Sequence, residues 1–317
     1  MRDGDVVELT VEGLGRTRQT VRASAALYPL TPRHNPDRRP PRPRVNRAPS
    51  KLPYTRGLHE VGTGVWAWLL PDGGYGWSNA GLVAGEGTSL LIDTLFDLPL
   101  TAEMLGAMRS ITDRHPLTHA VITHSNGDHT HGNQLLGEHV QIIAAEATCT
   151  EMQHEMPPEM LTAIQVIDIG PATPYFRERF GAFDFSGIRL RLPDLTYDGE
   201  LTLDVGGHEV RVMNLGPAHT GADTIVPGHG PVTDPDGIRA VRGYLTHVVE
   251  QADAAHARGL SFSEAVEAVD LDKYATWLDA ERIVVNLHRR YRELDPAATP
   301  QLDQMTLMAM MAERELS

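Results

Sequence analysis

The sequence predicts a layered α/β protein, on three observations. Short apolar runs with strand character alternate with stretches carrying a helical apolar stripe, and hairpins are mixed among them. One run, Leu90-Leu91-Ile92, is wholly apolar, as strands buried on both faces are. From Asp234 onward the pattern is mostly helical, so a helical C-terminal extension follows the α/β body.

The chain opens on residues 1–23, where Val7, Leu9 and Val11 alternate with polar residues before Gly13-Leu14-Gly15, Thr20 and Val21. This predicts a β-hairpin tail too short to build a core alone. Residues 24–57 form a Pro/Arg-rich linker. Between 31 and 56 stand eight Lys/Arg, one acid and seven prolines, including Arg38-Arg39-Pro40-Pro41-Arg42-Pro43-Arg44. Proline at that density blocks helices and sheet ladders and favours extended backbone, so a solvated linker is a simpler reading than a basic arm for an anionic partner.

A body over 58–234 follows. Strands are predicted at 65–69, 80–84 and 89–94, then a helix over 100–115 with Met104, Leu105, Met108 and Ile111 on one stripe. A strand at 120–123, a helix beginning near Asn133, a strand at 141–145 and helical stretches at 147–155 and 158–166 come next. Residues 201–205 and 208–212 flank Gly206-Gly207, a hairpin signal. In the extension, 235–317, Ser261-Phe262-Ser263-Glu264 fits a capping box. Met305, Met308, Met310 and Met311 mark an amphipathic helix that packs on the body or forms a dimer contact.

Composition narrows the function. The 317 residues carry a net charge of −14, and the local +7 of the linker leaves −21 for the rest, which argues against nucleic-acid binding. No apolar run reaches the ~18 residues of a membrane span, and the N-terminus lacks the apolar core of a signal peptide. The single cysteine, Cys149, cannot form an internal disulfide and fits a buried, small apolar residue. A cytoplasmic protein acting on a small molecule, as a monomer or a homodimer, is the expectation.

The chemistry concentrates in Thr123-His124-Ser125-Asn126-Gly127-Asp128-His129-Thr130-His131-Gly132-Asn133, directly after Ala120-Val121-Ile122. A strand ending in three His and one Asp points nitrogen and oxygen donors into one small volume, as a Zn2+ site requires. His219 and His229 recur in the turns Gly216-Pro217-Ala218-His219-Thr220 and Pro227-Gly228-His229-Gly230-Pro231. His131, one residue beyond the cluster's last ligand candidate, fits a pocket wall or the surface, with substitution for a lost ligand as the alternative. Tyr75 and Trp77, on the glycine-rich turn Gly73-Gly74-Tyr75-Gly76-Trp77-Ser78-Asn79, are candidates to hold a substrate, with ordinary packing as the alternative, and Asn126 joins them. Phe180, Phe183 and Phe185 suggest a core or lid wall.

These motifs resemble the metallo-β-lactamase superfamily over about Leu58 to Asp234. Its His-x-His-x-Asp-His pattern corresponds to His124-Ser125-Asn126-Gly127-Asp128-His129, and its two later ligand histidines to His219 and His229. Asp93 corresponds to a structural Asp near the site. The resemblance implies an αββα sandwich and a zinc-dependent hydrolase, in which metal-bound hydroxide attacks an ester, lactone, thioester or amide. The implied metal ligands are His124, Asp128, His129, His219 and His229, with Asp128 also catalytic.

Two departures bear on this. Asn126 stands where the pattern has His, which weakens the first metal position. Gly221-Ala222-Asp223-Thr224-Ile225-Val226 runs straight into Pro227, so a strand–helix unit with the bridging Asp is missing and the sandwich is expected to be incomplete. Asp128, His129 and His229 still supply three ligands for one zinc, with two as the alternative. A non-catalytic relative and a mononuclear iron oxygenase are the other readings. Asp3-Gly4-Asp5-Val6-Val7-Glu8 through Glu12-Gly13-Leu14-Gly15 resembles the C-terminal tail of fumarylacetoacetate-hydrolase-like proteins, without that family's metal ligands.

Overall fold

The computed structural model describes residues 6–11, 15–20, 54–71, 74–214, 235–277 and 279–316. At the N-terminus β1 (Val6–Val11) and β2 (Gly15–Thr20) pair antiparallel from Val6↔Thr20 to Val11↔Gly15, the hairpin expected there. Residues 24–53 of the linker lie outside the described residues.

The chain then forms two compact units, and the first holds the sheet. β3 (Gly57–Gly62), β4 (Val65–Leu69), β5 (Ala80–Gly85) and β6 (Thr88–Ile92) form an antiparallel meander. Helix α1 (Leu98–Thr112) crosses to β7 (Leu117–Val121), which lies parallel to β6. The short α2 (Gly127–Thr130) and a 3-10 turn (His131–Leu135) lead to β8 (Gln141–Ala145), parallel to β7. After α3 (Glu146–Met152), α4 (Pro158–Val166) and α5 (Thr173–Phe180), the short β9 (Leu195–Tyr197) completes a seven-stranded sheet in the order β3 to β9.

Both faces of the central strands are buried. Leu82, Leu91, Ala120 and Ile142 alternate with Val83, Leu90, Val121 and Ile143. The second set packs against β10 (Glu200–Val205) and β11 (His208–Met213), an antiparallel hairpin whose Val205 and Val212 enter the same core. This hairpin is a separate two-stranded sheet laid against the seven-stranded one. α1 buries Leu100, Met104, Met108 and Ile111 and is capped by Asp97, whose Oδ1 accepts from Leu100 N–H at 2.8 Å.

The second unit joins the N-terminal hairpin and Ile167–Glu178 to the C-terminal helices. These are α6 (Pro235–Ala257), α7 (Phe262–Ala268), α8 (Ile283–Leu294) and α9 (Gln304–Leu316). Both bonds of the Ser261/Glu264 capping box form at α7. α9 buries Met308, Ala309, Met311 and Ala312. Segment 167–178, assigned to the body from sequence, groups here instead, and the Tyr175 hydroxyl donates to Glu281 Oε1 at 3.3 Å.

Several expected boundaries shift for local reasons. The strand expected over 89–94 stops at Ile92 because Asp93 takes φ 63, a left-handed conformation. The helix expected from Asn133 is a 3-10 turn, since Gly132 N–H donates to Leu95 O at 3.1 Å and Leu136 is already extended. The folded body begins before Leu58: β3 starts at Gly57, Tyr54 donates its hydroxyl to Leu70 O, and Arg56 pairs with Glu103. Cys149 is half-buried rather than buried.

The hairpin is keyed to the sheet by backbone. Glu86 N–H donates to Gly206 O at 2.9 Å, and a Cβ on Gly85 would lie 2.0 Å from Val205 O. Neither backbone can yield without moving an element. Gly85→Ala is therefore expected to destabilise the first unit by about 1–3 kcal/mol, read as a lowered denaturation midpoint. An unchanged midpoint would show that the hairpin is loosely held.

Candidate metal centre

The centre is built at the C-terminal ends of β6 and β7, where parallel strands release their loops side by side. Asp93 follows β6 and is buried; its left-handed backbone turns the carboxylate towards the loop after β7. Oδ1 accepts from Thr123 N–H at 2.7 Å, and Oδ2 accepts from Thr123 Oγ1 at 2.7 Å. Oδ2 also lies 2.9 Å from His129 Nδ1, which must donate because a carboxylate only accepts.

This network fixes the tautomers of both histidines. With Nδ1–H on Asp93, His129 keeps its lone pair at Nε2, which lies 3.6 Å from Asp128 Oδ2. The one proton of the Thr123 hydroxyl goes to Asp93, so at 2.9 Å the oxygen accepts from His124 Nδ1–H. His124 therefore also carries its lone pair at Nε2. The two rings lie 4.1 Å apart between centroids. Burial alone would push the His129 pKa down, but Asp128 and Asp93 outweigh it, and the net shift is upward.

The rest of the loop is held by backbone. Thr94 N–H donates to His129 O at 3.0 Å, its hydroxyl reaches Asn133 Oδ1 at 3.0 Å, and Ser78 Oγ donates to Asp128 O. His131 does not face this group. Its Nδ1 donates to Phe96 O at 3.1 Å, its ring stacks on Phe96, and burial drives its pKa down. A Cβ on Gly127 would meet the His131 ring at 2.4 Å, so only glycine fits where α2 begins.

The other sequence candidates separate. Trp77 is buried 4.9 Å from Phe183, and Tyr75 stands edge-on to Phe180 at 6.5 Å. Phe96, Phe183 and Phe185 complete this aromatic cluster. Asn126 donates from Nδ2 to Glu155 Oε1 at 3.0 Å. His219 and His229, with the shortened connection between them, lie outside the described residues. Sequence reading missed Glu155, Ser78 and Thr94; Glu155 is 29 residues from its partner, and no local pattern links them.

Among the described residues no group of three His, Cys, Asp or Glu side chains gathers closely enough to hold a metal. The donors that are described nevertheless fit one. Two imidazoles that commit Nδ1 to donation and leave Nε2 to a metal, one oriented by a buried carboxylate, and a partly exposed Asp128 carboxylate are the usual makings of a zinc ligand set.

In Asp93→Asn the left-handed backbone stays tolerable, but the charge that favours protonated His129 is gone. His129 of the metal-free variant is expected to titrate at lower pH than in the wild type, as followed by the imidazole Cε1–H resonance. A raised folded-state pKa contributes stability below about pH 6.5, lost as pH rises through the raised value. That pH dependence should shrink in the variant. An unmoved titration would assign the shift to Asp128 alone.

Comparison with solved structures finds the stereoselective inverting sec-alkylsulfatase Pisa1 from Pseudomonas sp., with 15% identity and a TM-score of 0.58 over 78% of this chain and 52% of that one. This chain thus spans about half the length of that neighbour. A metallo-beta-lactamase from Hirschia baltica is matched at 18% identity and a TM-score of 0.35, over 53% of this chain and 64% of that one. No curated protein matches the sequence. The family model of the metallo-beta-lactamase superfamily matches residues 73–251, more than half of the sequence, and the chain therefore belongs to that superfamily.

Proposed function

We propose that this chain is a metal-dependent hydrolase that uses Zn2+ to cleave an ester, lactone, thioester or amide. The observation that carries the reading is the bond from His129 Nδ1 to the buried Asp93 carboxylate, which presents Nε2 beside Asp128. Carboxylate-oriented imidazoles are the recurring partners of bound zinc. Asp128, His129 and His229 would hold one metal; His124 and His219 would contribute to a second position, weakened by Asn126. When bound, such a metal lowers the pKa of its water to about 7 and polarises a substrate carbonyl.

The chain's own residues supply orientation and proton handling. Asp93 and Thr123 fix both imidazoles before any metal arrives. Asp128, partly exposed and 3.6 Å from His129 Nε2, would bind the metal and orient the attacking water. The fold shared with a sec-alkylsulfatase adds sulfate esters to the substrates worth testing.

Elemental analysis of the purified full chain is expected to give one tightly held zinc. Asp128→Ala should lower hydrolysis by about 10²–10⁴-fold. His131→Ala should leave turnover nearly intact while lowering thermal stability, because its ring fills the space against Gly127 and Phe96. Two tightly held metals would overturn the single-zinc assignment. Iron with oxygen-dependent turnover would replace hydrolysis by oxygenation. Metal-free protein without turnover would leave a non-catalytic member of the superfamily.

A further inference from the structure

Asn126 occupies the N-cap position of α2, with φ −60 and ψ 142, yet its side chain makes no capping bond. Asparagine at such a position ordinarily accepts from a backbone N–H of the first turn. Here the amide is turned elsewhere: Nδ2 donates to Glu155 Oε1 at 3.0 Å. The neighbouring Ser125 is buried, and its hydroxyl, with one proton to give, lies 3.3 Å from the same Glu155 oxygen and 3.3 Å from Glu151 Oε2. Two consecutive residues between His124 and Asp128 are thus tied to the segment that follows α3.

We propose that Glu155 is a positioning residue of the metal centre: it holds Ser125 and Asn126, and so sets the path from His124 to Asp128 and His129 without a metal. This rests on the reading that those three residues bind Zn2+. An imidazole at position 126 would be fixed by the metal it binds. An amide is a poor ligand there, and a charge-assisted bond to a carboxylate fixes it instead. The loop is then pinned on both flanks. Asp93 holds Thr123 and His129, and Glu155 holds Ser125 and Asn126.

The test uses the full chain with Zn2+ alone as probe. In Glu155→Ala, Zn2+ affinity measured against a chromophoric chelator should fall about 10- to 100-fold. In the metal-free protein, amide hydrogen exchange over residues 124–130 should quicken. Glu155→Gln keeps an acceptor oxygen and should restore most of both signals. Asn126→Ala alone should give the same pair of signals, which keeps the test decisive should Glu155→Ala fail to fold. Combining Asn126→Ala with Glu155→Ala should add little to either. Wild-type affinity and exchange in both single variants would overturn the proposal, as would a Gln variant as impaired as the Ala variant. A wild-type chain that takes up no Zn2+ would overturn the metal reading, and the metal-free exchange comparison would still decide the role of Glu155.

Discussion

Asp93 sits where β6 ends, in a left-handed turn, with its carboxylate buried between two loops. Its two oxygens accept from Thr123 N–H, Thr123 Oγ1–H and His129 Nδ1–H. Removing it would leave a buried backbone donor, a hydroxyl and an imidazole without their acceptor, at about 1–3 kcal/mol each. It would also leave the His129 tautomer undetermined. Because Thr123 in turn accepts from His124, a single carboxylate sets the donor atoms of both histidines. The strands can be seen as the support that brings this carboxylate and that loop together: β6 and β7 run parallel, so both end at the same edge.

The same arrangement explains the surrounding residues. Thr94, one position after Asp93, holds the His129 carbonyl through its backbone N–H, and Asp97 caps α1 while accepting Asp184 N–H at 3.1 Å. The aromatic cluster of Trp77, Phe96, Phe183 and Phe185 backs this turn and takes in His131. His131 belongs to packing because burial disfavours its charged form and its Nδ1 is committed to Phe96 O. His129 is buried too, but Asp128 and the hydrogen-bonded Asp93 outweigh the burial and reverse the direction of its shift, whereas Asp128 and Glu159 act on His131 without doing so. Environment, rather than residue type, separates two histidines only two positions apart.

Asn126 shows how a departure from a family pattern is absorbed. Its amide makes no helix cap and donates instead to Glu155. The loop keeps its geometry through a different contact.

Much of this molecule was legible in the sequence. The strands read at 65–69, 80–84 and 141–145, the Gly206-Gly207 hairpin and the Ser261 capping box all rest on short-range patterns of burial, turn and cap, which sequence carries directly. The His-rich loop after β7 was equally visible, because its donors are neighbours in the chain. Other features depended on residues far apart meeting. The stop of β6 at Ile92, the tautomers set through Asp93, the fate of Asn126 and the grouping of 167–178 with the C-terminal helices are of this kind. Sequence determines which groups can donate, accept or pack. Only the fold decides which of them face each other, because hydrogen bonds and buried charges depend on distances that separation along the chain does not specify.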